Sequence, residues 1–378
     1  MFYILRNTFT PNSASSNRAM AYYRAMDAMG VNGTIVILQP DANNSKIEEN
    51  FSHLKVEYCW NGKNAPNKLF RRISFYLGVY KFLKRLKRGD KVYVYGSSPC
   101  IHKLVNKKDV ETFLEVTEHP EVYPLKTRFW GNAPERAYAD CRKLKGLFVI
   151  STNLKDFYIQ SGVPENKIHI INMIVDASRF DGLVRNTGKR YVCYCGNGNN
   201  RKDKVDELIK SFKALSSSFT DVELVIVGPK KQVYKGEKDN VELVRELGLS
   251  NRVTFTGTLP ADQIPQILVN AEVLVLTRPD TVQNRAGFAT KLGEYLASGT
   301  LVITTTVGDI PLFLNNGENA LLVTPGSSAE FEVKLAWALS HPEPARRIGM
   351  KGREVALQSF DSKTETEKMM NVIMDSSK

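Results

Sequence analysis

Short apolar runs of strand length alternate along the whole chain with amphipathic or polar stretches. In the first half the runs fall at residues 2–5, 34–38, 91–95, 111–116, 146–150 and 167–171. Residues 18–29 read as a helix that Ser16 or Asn17 caps and Gly30 ends. A strand, a helix and a second strand in such close succession predict a parallel βαβ sheet, hence an α/β fold. The alternation restarts at Arg190, with strands at 190–195, 223–228, 253–257, 271–277 and 301–304 and helices at 205–216, 261–270 and 291–298. Residues 230–247 read as a charged loop plus helix, and 327–338, 343–357 and 362–374 as closing helices. The polar, glycine-containing stretch 181–189 is the predicted linker between a first domain, 1–182, and a second, 183–360. A length of 378 residues, more than one core usually holds, agrees with two domains. The tail, 361–378, is expected to pack back towards the first domain as a helix.

The strongest chemical pattern lies in residues 271–326, where a strand, a polar loop from Arg278 to Ala286, a helix and a second strand follow one another. Such a unit presents the backbone N–H groups of Gly287, Phe288 and Ala289, at a helix N-terminus, to a phosphate. Thr290 adds a hydroxyl there, and Glu294, one turn in, is placed to accept hydrogen bonds from a ribose diol. Arg278 either holds the loop or meets a phosphate. Upstream, Gly196-Asn-Gly-Asn-Asn-Arg-Lys-Asp-Lys204 combines glycines with Arg201, Lys202 and Lys204 ahead of a helix, which is the geometry of an anion site. Gly196 and Gly198 let the backbone approach such an anion closely. Asn17 and Arg18, in the loop region after the first strand, either meet a phosphate or belong to a capped surface helix. His119, in Thr117-Glu-His-Pro120, follows a strand's C-terminal end, where open sheets bind ligands. A loop histidine bonded to backbone is the other reading.

Charge changes this picture in one place. The formal net charge is +12, and residues 67–88 hold Lys68, Arg71, Arg72, Lys81, Lys84, Arg85, Lys87 and Arg88 among aromatic and aliphatic side chains. Ile73, Tyr76, Leu77, Tyr80 and Leu83 recur at helical spacing, so residues 68–88 form an amphipathic helix. It either lies on an anionic membrane surface or packs on the sheet with a solvated basic face. No recognised nucleic-acid module accompanies the basic residues, so no nucleic-acid partner is expected. The five cysteines are scattered, with no metal or disulfide framework, and Cys193 and Cys195 share one strand face. No apolar run approaches a membrane span, and Met1 leads straight into a strand without a signal-peptide pattern. A cytoplasmic protein, peripheral on the inner membrane face through residues 68–88, is expected.

Several pieces in order resemble the family 4 glycosyltransferases of GT-B fold. They are Ile150-Ser-Thr-Asn, Gly162-Val-Pro-Glu-Asn-Lys-Ile168, Asp176 with Phe180, the loop 196–204 followed by Asp206-Glu-Leu-Ile209, and the strands 224–228 and 253–257. Lys291-Leu-Gly-Glu-Tyr-Leu-Ala-Ser-Gly299, Gly308-Asp-Ile-Pro311 and Asn319-Ala-Leu-Leu-Val323 complete the set. The resemblance implies two Rossmann-like parallel-sheet domains facing each other across a cleft. It implies a retaining, metal-independent transferase that needs no cofactor beyond a UDP- or GDP-linked sugar and glycosylates a hydroxyl of a glycan or lipid-linked acceptor, as in cell-surface polysaccharide assembly. Lys202, with Arg201 or Lys204 beside or in place of it, would stabilise the leaving diphosphate, and His119 would reach the sugar or acceptor. One departure stands out: the family's first glutamate, seven residues before the second, is here Ala286, with Asp280 a loop carboxylate nearby in sequence. That departure keeps open a non-catalytic nucleotide-sugar-binding subunit, and a GT-B-fold sugar-nucleotide epimerase is a further alternative.

Overall fold

The computed structural model describes every residue except 12, 40–42, 44, 60–67, 97–100, 108, 123–132, 187, 199, 230–238 and 376–378, and the side chains of 14, 68–72 and 133–137 as well. Asn67, the Ser97–Pro99 segment, Cys100, the start of the charged loop at Lys230 and the side chains of Lys68, Arg71 and Arg72 therefore lie outside the described residues. The chain divides into two compact units, Met1–Asn172 with Ser362–Lys378, and Met173–Asp361.

The first unit is built on seven strands: β1 (Phe2–Arg6), β2 (Gly33–Ile37), β3 (Leu54–Tyr58), β4 (Lys91–Tyr95), β5 (Glu111–Val116), β6 (Gly146–Val149) and β7 (Ile168–Ile170). Their order is β3-β2-β1-β4-β5-β6-β7, and every pair is parallel. Strands buried on both faces read as near-continuous apolar runs, as residues 2–5 of β1 do, while β5 interrupts its buried run with Thr112 and Glu115. The tail helix, Ser362–Asp375, belongs to this unit: buried Glu365 accepts from the Asn172 amide at 2.8 Å, and Lys91 Nζ donates to the Ile373 carbonyl at 2.6 Å.

The second unit has six parallel strands: β8 (Arg190–Cys195), β9 (Val222–Val227), β10 (Val253–Gly257), β11 (Val273–Leu276), β12 (Leu301–Thr305) and β13 (Leu321–Val323). Their order is β10-β9-β8-β11-β12-β13. Its core gathers Val192, Tyr194, Leu224, Ile226, Val273, Val275 and Ile303 from the sheet against Leu208, Phe212 and Leu335 from helices. Gly299, at φ +71°, ends the helix Thr290–Ala297 as the sequence predicts.

Four differences from the sequence reading have physical causes. The units divide at Asn172 and Met173 rather than near residue 183. Met173 packs where a Gly293 side chain would stand, and the Val175 amide bonds the Phe360 carbonyl at 2.8 Å. The first helix runs Ala14–Ala28 and is capped by Ser13, not Ser16 or Asn17, because Ser13 is already extended and its hydroxyl accepts from the Ser16 amide. The helix Lys68–Arg85 turns Phe75, Val79, Phe82 and, just beyond, Leu86 into the core, whereas Ile73, Tyr76, Leu77 and Tyr80 are exposed. Both of its faces are apolar, so spacing alone selects neither. The helix placed at 261–270 is Ile264–Asn270, with turn residues before it.

Candidate functional site

In both sheets the strand order reverses beside the first strand, at β1/β4 and at β8/β11. The crevice past the C-terminal ends of strands at such a reversal is where open α/β sheets bind ligands.

In the second unit, β8 leads into Gly196, the short helix Asn200–Asp203, then Lys204 and the helix Val205–Leu215. Gly198 has φ +67°, and a side chain on Gly228 would stand 1.8 Å from the Gly196 carbonyl oxygen, so this corner closes only around bare backbone. Lys204 adopts left-handed backbone, φ 52°, which a lysine takes at a cost. Such strain persists where surrounding bonds over-determine it, and here Thr277 Oγ1 donates to the Asp203 carbonyl at 2.9 Å.

The organiser of this corner is Asp203. Its buried carboxylate accepts from Tyr194 Oη at 2.6 Å, from Arg278 Nε at 3.1 Å and from Lys291 Nζ. Lys291 also donates to Tyr194 Oη at 3.0 Å and lies over that ring, 4.7 Å from its centre. Tyr194 Oη in turn accepts from the Gly198 amide at 3.3 Å. Burial pushes the Asp203 carboxyl upward, but the Lys291 and Arg278 charges outweigh burial and hold it well below the usual carboxylate range. Burial draws the Lys291 ammonium below its ordinary value against the opposing pull of Asp203. Two cations thus share one carboxylate. Among the described residues, Asp203 is the carboxylate ion-paired to either. The cluster keeps a net positive charge beneath a glycine loop.

The loop from β11 supplies the other wall. Arg278 is buried, and its bond to Asp203 holds the loop in place. Asn284, also buried, donates to the Lys202 carbonyl at 3.0 Å and to the Pro279 carbonyl at 2.9 Å, tying this loop to the 196–204 loop. Gly287 precedes Phe288, whose ring packs on Phe313 and Phe360. Ala289 stands at the N-cap of the helix Thr290–Ala297 without a side-chain cap and its carbonyl accepts from the Leu292 amide at 2.9 Å, so the leading amides, at Thr290 and Lys291, are the ones placed for a ligand. Glu294, one turn in, is half-buried and paired with Arg179, which also donates to the Ala261 carbonyl at 2.6 Å. Ala286 is fully buried at the end of a short helix, and Asp280 is exposed and paired with Arg285 at 3.4 Å.

The predicted residues are therefore distributed unevenly. Gly196, Gly198, Arg201, Lys202, Lys204, Arg278, Gly287, Phe288, Ala289, Thr290 and Glu294 all lie on the two loops and helix starts of the second unit's reversal. Arg201 is exposed, Lys202 and Lys204 are half-buried, and Lys204 Nζ pairs with Glu207 at 3.2 Å. Asp203, Tyr194, Lys291, Asn284 and Arg179 complete the arrangement without having been singled out.

In the first unit, Asn17 and Arg18, expected on the acceptor or phosphate side, have different surroundings. Asn17 lies in the first helical turn with its side chain exposed. Arg18 is buried, donating from Nε to Glu115 Oε1 at 2.8 Å and from Nη2 to the Asn172 carbonyl at 2.9 Å. Tyr22 and Tyr93 hydroxyls complete the shell of Glu115. His119 lies in the same unit and is buried, its Nδ1 accepting from the Glu121 amide at 3.3 Å and its ring 4.3 Å from that of Phe157. Burial draws it below the ordinary imidazole range, with Glu121 opposing. Among the described residues, no group of three or more His, Cys, Asp or Glu stands ready to hold a metal.

Two Rossmann-like parallel-sheet domains, each with its strand order reversing beside its first strand, make the GT-B architecture. Residues 177–355 match the family model described as "Glycosyl transferases group 1". Among curated proteins, the chain is 28% identical over 242 residues to the MMP alpha-(1->4)-mannosyltransferase of Mycolicibacterium hassiacum. That match takes in 63% of this chain but only 55% of the relative, about half its length. The fold is similar to that of sucrose-phosphate synthase from Thermosynechococcus elongatus, at TM-score 0.75 and 18% identity over 99% of this chain and 98% of that one. It is likewise similar to Anabaena HepE in complex with UDP-glucose, at TM-score 0.71 and 16% identity over 99% of both chains.

Proposed function

We propose that this protein is a retaining glycosyltransferase that needs no metal and takes its sugar from a UDP- or GDP-linked donor. The acceptor is a hydroxyl of a glycan or lipid-linked saccharide, in the assembly of cell-surface polysaccharide or glycolipid on the cytoplasmic side of a membrane. The observation that carries this reading is the net positive cluster of Asp203, Lys291 and Arg278 beneath the glycine loop at the second sheet reversal. A buried excess cation is costly unless an anion compensates it, and a diphosphate at this loop does so.

In this reading the bond between the anomeric carbon and the diphosphate breaks. The acceptor oxygen bonds to that carbon on the same face, and the hydroxyl proton passes to the departing phosphate. Negative charge grows on the leaving oxygens, so preorganised donors aimed at them lower the barrier. Lys202, with Arg201 or Lys204 beside it, supplies charge, and Phe288, Ala289 and Thr290 supply amides and a hydroxyl; the Gly287 amide is committed to the Gln283 carbonyl at 3.0 Å, so Gly287 contributes only its bare backbone. Glu294, oriented by Arg179, holds the ribose. His119 is assigned to the sugar or acceptor. The mannosyltransferase relative supports transfer of a sugar, and the UDP-glucose complex of HepE supports a nucleotide-sugar donor.

A panel of UDP- and GDP-sugars with wild type, Lys202→Ala and Glu294→Ala tests this. Loss of one leaving-group donor is expected to lower turnover roughly 100-fold, and full turnover by both variants on a confirmed donor rejects the site. One observation favours a second reading: Ala286 carries no carboxylate and is fully buried. A non-catalytic nucleotide-sugar-binding subunit would bind UDP or GDP tightly without transfer or hydrolysis in the same panel, and an epimerase would isomerise the donor without acceptor.

A further inference from the structure

The helix Lys68–Arg85 has two apolar faces with opposite fates. Phe75, Val79 and Phe82 are buried, and Gly78 sits so close to Cys59 and the Leu38 carbonyl that any side chain there would collide. On the other side Ile73 is 49% exposed, Tyr76 40%, Leu77 55% and Tyr80 62%. Scattered exposed apolar side chains need no explanation, but four at i, i+3, i+4 and i+7 form one continuous strip.

Charge surrounds the strip. Lys81, Lys84, Lys87 and Arg88 are all exposed at its C-terminal end, with the Lys84 ammonium 5.9 Å from the centre of the Tyr80 ring. Arg85 is committed to Glu57, and Arg88 makes a long, exposed contact of 3.9 Å with Asp109. From Lys68 to Arg88 the sequence contains eight basic residues and no acidic one. We propose that this strip docks the first unit on the surface of a bilayer rich in anionic lipid. Ile73 and Leu77 enter the acyl boundary, Tyr76 and Tyr80 sit at headgroup level, and the lysines face the lipid phosphates. A second copy of the chain is a poor occupant, because it would press two strongly basic faces together. Nucleic acid would meet the lysines but leave the aliphatic strip uncovered. The inference rests on the first unit alone and is independent of the transferase reading.

Flotation of the full chain with phosphatidylcholine vesicles, with and without 30% (roughly, a usual anionic fraction) phosphatidylglycerol, tests it. Wild type floats with the anionic vesicles and not with the neutral ones, and raised salt weakens it. The triple variant Ile73→Ser, Leu77→Ser, Tyr80→Ser loses flotation while keeping its far-UV spectrum and thermal midpoint. Lys81→Gln and Lys84→Gln together weaken partitioning about tenfold or more. Wild type that ignores anionic vesicles, or a triple variant that floats undiminished, overturns the proposal. So does light scattering that shows a wild-type dimer which the triple variant converts to monomer.

Discussion

The two sheet reversals hold clusters of the same ingredients and different balance. At β1/β4 one arginine, Arg18, meets one carboxylate, Glu115, inside a ring of Tyr22 and Tyr93 hydroxyls. At β8/β11 one carboxylate, Asp203, meets two cations, Lys291 and Arg278, with the Tyr194 hydroxyl closing the shell. The first cluster is charge-neutral and lies among buried side chains, so it ties helix to sheet, with Arg18 Nη1 buried and without a hydrogen-bond partner. The second keeps a surplus positive charge beside Gly196 and Gly198, where backbone leaves room. The same arginine, carboxylate and tyrosine groups are therefore balanced in one unit and left with a surplus cation in the other, and charge count separates the two.

The sharpest way to break the comparison is to cut each pair. Arg18→Met strands Glu115 and is expected to cost about 3–5 kcal/mol in urea unfolding. Adding Glu115→Leu should recover most of that, because replacing a whole buried pair by apolar groups is often neutral. If the double variant stays as unstable as the single one, the cluster is more than a strut. Lys291→Met, by contrast, should act on function: turnover falls roughly 100-fold in the donor panel. An unchanged turnover would demote the second cluster to a strut as well.

Acid sharpens the difference. Asp203 titrates below its unfolded value, so its stabilisation is complete above about pH 4, the ordinary aspartate range, and is lost as pH falls through its lower folded value. Asp203→Asn should flatten the acid limb of a stability-against-pH curve, and an unaltered limb would assign the acid loss elsewhere. The smallest expected effect is Asp280→Ala. Its exposed pair with Arg285 should matter by less than about 0.5 kcal/mol, and turnover should hold, since its carboxylate faces solvent. A large loss of turnover there would move the missing carboxylate of Ala286 to Asp280.

Much of the architecture is readable along the chain because parallel strands buried on both faces leave near-continuous apolar runs such as Val273–Leu276 and residues 301–303. Glycines and bases before a helix likewise mark the 196–204 loop. Asp203 is not readable as its organiser, because Arg278 and Lys291 lie 75 and 88 residues downstream and meet it only when β11 lies beside β8. The phase of the Lys68–Arg85 helix is hidden for another reason. Periodicity finds an apolar stripe but cannot say which of two stripes faces the sheet. Arg18 misleads because an arginine near a strand's end looks the same whether it awaits a phosphate or already owns a carboxylate 97 residues away.

Titration calorimetry of the wild-type chain and of Lys291→Met with UDP, UMP, GDP and GMP tests the central claim most directly. The account predicts that wild type prefers one diphosphate over its monophosphate by roughly tenfold or more, an added charge-assisted contact, and that Lys291→Met erases the preference while the monophosphate still binds. Equal affinity of wild type for diphosphate and monophosphate, or a preference untouched by the substitution, would contradict a diphosphate seated on the Asp203 cluster.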